Sequence, residues 1–179
     1  MKLRNNAEHF TVSISTSEGE FSARYSEKGL CGLSFPHRGD GAIQANTRAD
    51  VPAEISHWHK LTIEALDNCL EGKAPKELPP LDLSAGTEFQ QDVWRALLEI
   101  GPGETMSYGE VARAIGNPKA LRAVGGACGA NPIPVLVPCH RVLAAHRQIG
   151  GFSSGLDWKR RLLQIEAQPY FESPTARQS

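Results

Sequence analysis

A proline-rich segment without periodicity divides this chain into two parts with different hydrophobic patterns. Within residues 73–86, apolar residues recur neither every two positions, as in strands, nor every three or four positions, as in helices. Their turn-forming residues are Pro75, Pro79, Pro80 and Gly86. Such a segment is typical of a linker between domains. We therefore expect a domain over residues 1–85, with the linker at 73–85, and a second domain over residues 86–179.

The first part has the pattern of a small antiparallel sheet covered by one helix. Three stretches of strand-forming residues alternate apolar and polar positions and are separated by glycine-containing turns. They cover residues 10–14, 21–25 and 30–35. Apolar residues then recur at helical spacing from Ile55 to Leu70, and Gly72 ends the pattern. The helix is expected to cover the sheet, which makes the fold class α+β.

The second part carries clear start signals for two helices. Thr87 with Gln90, and Ser107 with Glu110, each have the spacing of a capping box, in which two side chains satisfy the first free backbone amides. Apolar residues at helical spacing follow both boxes. We therefore expect this domain to be mainly helical.

A third helix completes a helix-turn-helix pattern. Asn117 is expected to cap it, with Pro118 at the first helical position. Its expected buried stripe is Leu121, Val124 and Cys128. Two short helices joined by a tight turn that contains glycine are typical of DNA-binding proteins. The second domain is therefore expected to hold a winged-helix-like helix-turn-helix.

The surface of the third helix suits a minor groove better than a major one. Arg122 is the only long side chain in its middle, and the nearby Ala123, Gly125 and Gly126 are small. Reading base edges in a major groove needs several long donors. Small residues with one arginine fit close contact with a minor groove, where Arg122 can enter the duplex in place of a displaced base. The alternative is a helix packed against a neighbour inside the protein.

Charge and composition allow a DNA partner without requiring one. The formal net charge is −1, yet residues 108–161 hold eight basic side chains against two acidic ones. Such a region suits the phosphates of a polyanion, although a solvated basic face has the same composition. No apolar stretch approaches the ~18 residues of a membrane span, and we expect a cytoplasmic protein.

The cysteines and histidines show no metal-binding pattern. The four cysteines form no CxxC pair and are Cys31, Cys69, Cys128 and Cys139. His57 and His59 point to different sides of a helix, because residues two apart do not share a face. We expect reduced thiols and no metal.

One of these cysteines has the surroundings of a nucleophile. Cys139 lies in an apolar, proline-stiffened stretch and is followed directly by His140 and Arg141. A thiol reacts as its thiolate, so a nearby base and a positive charge favour chemistry there. In an extended segment adjacent side chains point to opposite sides, and a bridging water is therefore expected between Cys139 and His140.

These motifs together resemble the O6-alkylguanine-DNA alkyltransferases, also called methylated-DNA-protein-cysteine methyltransferases. The resemblance covers roughly residues 87–166 and depends on the order and spacing of several short motifs. They are Ser107-Tyr108, residues 117–120, residues 122–127, Asn131-Pro132, residues 138–142 and residues 151–155, with Lys159 and Glu166 beyond.

The resemblance implies a suicide enzyme of DNA repair. An alkyl group would pass irreversibly from O6 of an alkylguanine in double-stranded DNA to Cys139, once per protein molecule and with no cofactor. The guanine nucleotide would first be flipped out of the duplex, with Tyr108 assisting and Arg122 filling the gap. A monomer is expected, and activity on O4-methylthymine is left open.

The resemblance also implies roles for individual residues. Glu166 would hold His140, and Tyr108 would give a proton to the departing guanine. Asn131 would fix the turn around the site, the backbone of Val142 and Cys139 would accept the guanine amino group, and the Ser153 N–H would donate to O6. The further DNA and base contacts expected are Ser107, Arg122, Ala123, Gly125, Gly126, Arg141 and Phe152.

Two positions differ from the usual family pattern. Phe152 replaces a common tyrosine, which should matter little if only its ring face and backbone are used. Ser154 replaces the first glycine of a frequent pair. Its added side chain is expected to narrow the pocket and to reduce tolerance for bulky alkyl groups.

Three other functions are compatible with parts of the pattern. A lesion-recognition protein without repair activity has a different residue in place of the cysteine, and Cys139 argues against it. A helix-turn-helix regulator needs base-reading side chains that the third helix lacks. A cysteine hydrolase normally takes its histidine from a distant segment, not from the next position.

Overall fold

An antiparallel sheet and one long helix form the N-terminal part of the computed structural model, which describes residues 9–36 and 51–173. The strands are β1 (Phe10–Thr16), β2 (Gly19–Ser26) and β3 (Gly29–Ser34), in the order β1-β2-β3. Alternate residues of β1 are buried, as the sequence pattern predicted. The helix α1 (Ala53–Leu70) packs against all three strands.

Three polar side chains inside this part are paired with each other. The Tyr25 hydroxyl donates to Thr62 Oγ1 at 2.9 Å and lies 3.0 Å from His59 Nδ1. His59 is therefore a packing histidine on the sheet side of α1. Within residues 9–36 and 51–173, no three His, Cys, Asp or Glu side chains lie together as metal ligands would.

The remaining described residues are mainly helical. Their helices are α2 (Glu88–Leu98), α3 (Tyr108–Ala114), α4 (Leu121–Gly129) and α5 (Leu156–Ile165). Two short parallel strands, β4 (Met106–Ser107) and β5 (Val142–Leu143), pair beside α3. Both capping boxes form as expected, with Thr87 capping α2 and Ser107 capping α3. The α+β class with a helix-turn-helix is thereby confirmed.

The expected start of α4 was wrong by about one turn. The Asn117 carbonyl accepts the Ala120 N–H at 3.0 Å, which closes a separate turn, and the helix begins only at Leu121 with Ala120 as its N-cap. Leu121 was expected in the buried stripe but is 48% exposed. The later members of the stripe, Val124 and Cys128, are buried as predicted.

The two parts of the chain share one hydrophobic core. Buried residues of the sheet, α1, α2 and α4 form one continuous cluster, and the Leu33 N–H donates to the Pro132 carbonyl at 2.9 Å. The Phe21 ring lies 5.7 Å from Trp158 of α5. The domain boundary at residue 85 stays a prediction. No helix of the described residues is long and apolar enough to cross a membrane.

Phe21 is expected to contribute strongly to stability. Its side chain is fully buried between Phe35, 5.5 Å away, and Trp158. Because Phe21→Ala leaves a cavity, we expect the free energy of unfolding to fall by about 3–5 kcal/mol in urea denaturation. The matched control is Phe171→Ala, at a ring that is 66% exposed, with an expected loss below about 1 kcal/mol. Equal losses would contradict the shared core.

Candidate active site

Cys139 begins a short 3-10 turn, residues 139–141, that leads directly into β5. Its side chain is only 4% exposed. The preceding loop is held by Asn131, whose side-chain amide donates to the Val137 carbonyl at 2.8 Å while its Oδ1 accepts the Ile133 N–H at 3.0 Å. Asn131 therefore holds the loop that precedes Cys139.

A buried carboxylate joins the two residues that follow Cys139. Glu166, the C-cap of α5, places Oε1 2.9 Å from His140 Nε2. Arg141 donates to both oxygens of the same carboxylate, at 2.8–3.1 Å. The Arg141 guanidinium also donates to the Ile100 carbonyl. Glu166 thus holds the imidazole through one nitrogen.

The charges of this network follow from burial and pairing. Burial alone would raise the pKa of Glu166, but hydrogen bonds from His140 and Arg141 outweigh it and bring the pKa down to about 2. Burial also lowers the pKa of His140, against the opposing effect of Glu166. At neutral pH the site therefore holds an anionic Glu166, a cationic Arg141 and a neutral His140 that can accept a proton.

The Cys139 thiol needs such a base. Burial raises its pKa, and the side chain of Asn131 and the charge of Lys159 only partly offset this. Lys159 is itself fully buried in the first turn of α5, where its ammonium donates to the carbonyls of Val142 (2.7 Å) and Gly151 (3.2 Å). Burial lowers the pKa of Lys159 to about 8.

A small cavity of about 170 Å³ opens beside Cys139. Its walls come from α3, the end of α4 and the loop before α5. The lining residues are Tyr108, Gly125, Cys128, Gly129, Cys139, Gly151, Phe152 and Ser153. Burial raises the pKa of Tyr108 to about 12, so the phenol keeps its proton at neutral pH. Five expected site residues, Tyr108, Gly125, Cys139, Phe152 and Ser153, therefore share this cavity.

Gly150 allows the loop to close over Tyr108. Its φ is +67°, a backbone conformation that residues other than glycine rarely adopt. An added Cβ would lie 3.2 Å from the Tyr108 hydroxyl. A larger residue at this position would displace the phenol from the cavity.

Ser154 does not lie where its sequence position suggested. It is exposed and lines a different cavity, shared with Glu18, Trp158 and Arg161. This position argues against the expected narrowing of the alkyl pocket by Ser154, because its side chain is not part of the wall around Cys139.

The outer face of α4 is open rather than packed against another helix. Arg122, Ala123 and Gly126 are exposed. A Cβ added at Gly126 would meet no atom of the described residues within 4 Å. The alternative of a small-residue helix packed inside the protein is therefore wrong for this face, while Val124, Ala127 and Cys128 face the core.

Several basic residues of the expected polyanion surface are paired with other groups of the protein. Arg141 was expected to contact DNA, but it is 5% exposed and paired with Glu166. Lys159 is fully buried. Arg160 pairs with Glu172, and Arg161 pairs with Glu18. The exposed basic residues around α3 and α4 are Arg113, Lys119 and Arg122.

The remaining expected contacts have structural partners of their own. The Ser107 side chain accepts the Glu110 N–H at 3.2 Å, so it caps α3. The Val142 carbonyl, expected to accept the guanine amino group, already accepts from Lys159, and one lone pair remains for a second donor.

Sequence reasoning missed the positions of Lys159 and Cys128 at the site. Lys159 was counted with the surface charges, although its spacing of three residues before the buried Leu162 placed it on the inner face of α5. Cys128 was correctly predicted to be buried, but its place in the wall of the Cys139 cavity depends on how α4 packs.

The fold and site define a helix-turn-helix protein with a buried cysteine beside a His–Glu pair. Comparison with known proteins agrees with this class. A family model described as "6-O-methylguanine DNA methyltransferase, DNA binding domain" matches residues 88–168. The chain belongs to this family.

The similar proteins extend the match beyond that region. A methylated-DNA–protein-cysteine methyltransferase of Methanosarcina mazei is 43% identical over 145 residues, which are 78% of this chain and 85% of the relative. One of Haemophilus influenzae is 56% identical over 90 residues, and there the match spans half of each protein. The crystal structure of Mycobacterium tuberculosis OGT in complex with DNA aligns with a TM-score of 0.68 and 36% identity, covering 88% of this chain and 91% of that one.

Glu166→Gln should destabilise the protein and change its acid response. The variant leaves Arg141 as a buried charge without its counter-ion, so we expect the free energy of unfolding at pH 7 to fall by about 3–5 kcal/mol. In the wild type the folded-state pKa of Glu166, about 2, lies below the ordinary 4.5. Its stabilisation is thus present above pH 4.5 and lost as the pH falls towards 2. Urea denaturation across this range tests both effects.

The control for this variant is Glu99→Gln, at an exposed carboxylate just after α2. It should keep the wild-type stability at pH 7 and the wild-type acid response. If Glu166→Gln behaves like Glu99→Gln, the buried network does not stabilise the fold.

Ser154→Gly should not widen the substrate range. Since Ser154 lies outside the cavity wall, the ratio of benzyl to methyl transfer rates should change less than about threefold. One methylene group added to or removed from a pocket changes such a rate ratio by about 10- to 200-fold. Gly125→Ala adds a Cβ to the wall, 3.9 Å from the Tyr108 ring, and should lower benzyl transfer more than methyl transfer. A large gain in benzyl transfer by Ser154→Gly would restore the original expectation.

Proposed function

We propose that this protein repairs DNA by transferring an alkyl group from O6 of guanine to Sγ of Cys139, once per molecule. The observation that carries the proposal is the position of Cys139: a buried thiol at a small cavity, followed directly by a histidine held on a buried carboxylate. Membership of the methyltransferase family supports the same reaction.

Access to Cys139 requires base flipping. The thiol is 4% exposed and lies in the cavity wall, out of reach of a guanine stacked in a duplex. The open face of α4 would approach the minor groove closely, because its exposed residues include Ala123 and Gly126. Arg122, exposed on the same helix, would enter the gap and hydrogen-bond the unpaired partner base.

His140 would activate the thiol through a water molecule. Nε2 of His140 is engaged by Glu166, whereas Nδ1 is buried and makes no hydrogen bond within the described residues. A water between Nδ1 and Sγ would pass the Cys139 proton to the imidazole. The imidazolium formed would face the Glu166 carboxylate, and Lys159 would stabilise the thiolate.

Hydrogen-bond donors on the side of the guanine away from the sulfur would stabilise it as it departs. The sulfur forms a bond to the alkyl carbon while the bond from that carbon to O6 breaks, so negative charge develops on the base. The Ser153 N–H would donate to O6. Tyr108, whose pKa is raised by burial to about 12, keeps its proton at neutral pH and would give it to the leaving base.

The product would be a thioether on Cys139. An alkyl sulfide has no good leaving group, so water does not regenerate the thiol and each molecule acts once. The substrate brings its own alkyl group, and the reaction needs no cofactor.

Further properties belong to the same proposal. Nucleophilic chemistry needs a reduced thiol, and all four cysteines are free, which supports a reducing compartment such as the cytoplasm. We also propose a monomer that acts on O6-alkylguanine in double-stranded DNA. O4-methylthymine presents an alkylated oxygen in a smaller base and is a candidate second substrate.

The direct test is intact-protein mass spectrometry after incubation with a duplex that carries O6-methylguanine. The wild type should gain the mass of one methylene group and no more, even with excess DNA. Cys139→Ala should gain nothing, whereas the matched control Cys31→Ala, at a thiol on β3, should react like the wild type.

Two other outcomes would contradict the proposal. Tight binding of the alkylated duplex without any gain in mass would favour the lesion-recognition function. A mass gain that persists in Cys139→Ala would place the acceptor elsewhere.

A further inference from the structure

A second thiol lies in the wall of the Cys139 cavity. Cys128, in the last turn of α4, is 8% exposed and lines the same cavity of about 170 Å³. The other two cysteines, Cys31 and Cys69, lie on β3 and α1 and do not line this cavity. The methyl transfer described above uses one sulfur, which leaves Cys128 without a role in it.

The two thiols are close enough to influence each other. After burial, the charge of Cys139 is the largest cause that raises the pKa of Cys128, to about 12. Both sulfurs also stabilise the protonated form of Lys159. The cavity that both residues line places the two thiols in one small region, and their shared effect on Lys159 agrees with this because such effects decay with distance.

Glycines form part of the cavity wall beside Cys128. Gly125 and Gly129, its neighbours in the wall, carry no side chains. Cys128 is also one residue before the end of α4, and Gly129 and Ala130 beyond it are exposed. Formation of a disulfide would draw this last turn of α4 towards Cys139.

We propose that Cys128 is a resolving thiol that protects Cys139 from irreversible oxidation by peroxides. The inference rests on the proposed function, because it assumes that the reactive acceptor is Cys139. A low-molecular-weight hydroperoxide such as hydrogen peroxide is the oxidant.

The chemistry proceeds in two balanced steps. The Cys139 thiolate attacks a peroxide oxygen, so that an S–O bond forms, the O–O bond breaks, and water leaves after taking up a proton. The Cys128 sulfur then attacks the sulfur of the sulfenic acid. An S–S bond forms, the S–O bond breaks, and a second water leaves with the Cys128 proton. Two thiols lose two electrons, and one peroxide becomes two waters.

The disulfide would be a reversible, inactive form of the protein. It removes the Cys139 nucleophile but prevents further oxidation to the sulfinic acid, which thiols do not reduce. Cellular thiols would restore the pair by exchange. For a protein that acts only once, this preserves molecules that have not yet met a lesion.

The test treats the full chain with a small excess of hydrogen peroxide. Intact mass and peptide mapping without reductant should show the loss of two hydrogens and a peptide linked through Cys128 and Cys139. After dithiothreitol, methyl transfer should return to most of its untreated value. Sulfinic acid at Cys139 with no linked peptide would overturn the proposal, and this result needs no variant.

Cys128→Ser and the matched control Cys31→Ser complete the test, each normalised to its own untreated activity. After peroxide and dithiothreitol, Cys128→Ser should recover about tenfold less activity than wild type, because its sulfenic acid lacks a partner. Cys31→Ser should recover like wild type. Equal recovery in Cys128→Ser contradicts the proposal. If the proposed function itself is wrong, the untreated wild type will show no methyl transfer. The peptide map still reports in that case whether the disulfide forms.

Discussion

The rest of the site depends on the hydrogen bonds of the buried Glu166 carboxylate. It lies at the end of α5 and is hydrogen-bonded to both His140 and Arg141. Hydrogen bonds from His140 and Arg141 keep the pKa of this carboxylate low against the effect of burial, and the charged carboxylate in turn orients the imidazole next to Cys139. Three residues from two distant parts of the chain therefore set the protonation state in which a buried thiol can react.

The N-terminal sheet supports this site through aromatic packing. Phe35, just after β3, lies 4.6 Å from Trp158 of α5 and 6.0 Å from Phe152 of the cavity wall. The Leu33–Pro132 backbone bond joins β3 to the loop that Asn131 holds. The described residues of the first part thus line none of the Cys139 cavity but restrain two segments that do, which gives a physical role to residues that lie outside the family model's match.

The sequence was sufficient for features decided by local chemistry. The capping boxes at Thr87 and Ser107 formed because their partners lie three residues away. The start of α4 was missed because a local turn at Asn117 competes with a helix cap. Arg141 was expected at a DNA surface because composition does not distinguish a buried, paired charge from a solvated one. The link from His140 to Glu166 was available only through family resemblance.

The pH dependence of methyl transfer in a single turnover, with the protein in excess over O6-methylguanine duplex, tests the central claim most directly. If neutral His140 takes the Cys139 proton inside the site, the rate should be nearly constant around neutral pH. It should fall under acidic conditions, at a pH below the ordinary histidine value of 6.5, because burial lowers the pKa of His140. A rate that instead rises about tenfold per pH unit through neutrality would mean that the thiol ionises directly to solvent, without the histidine.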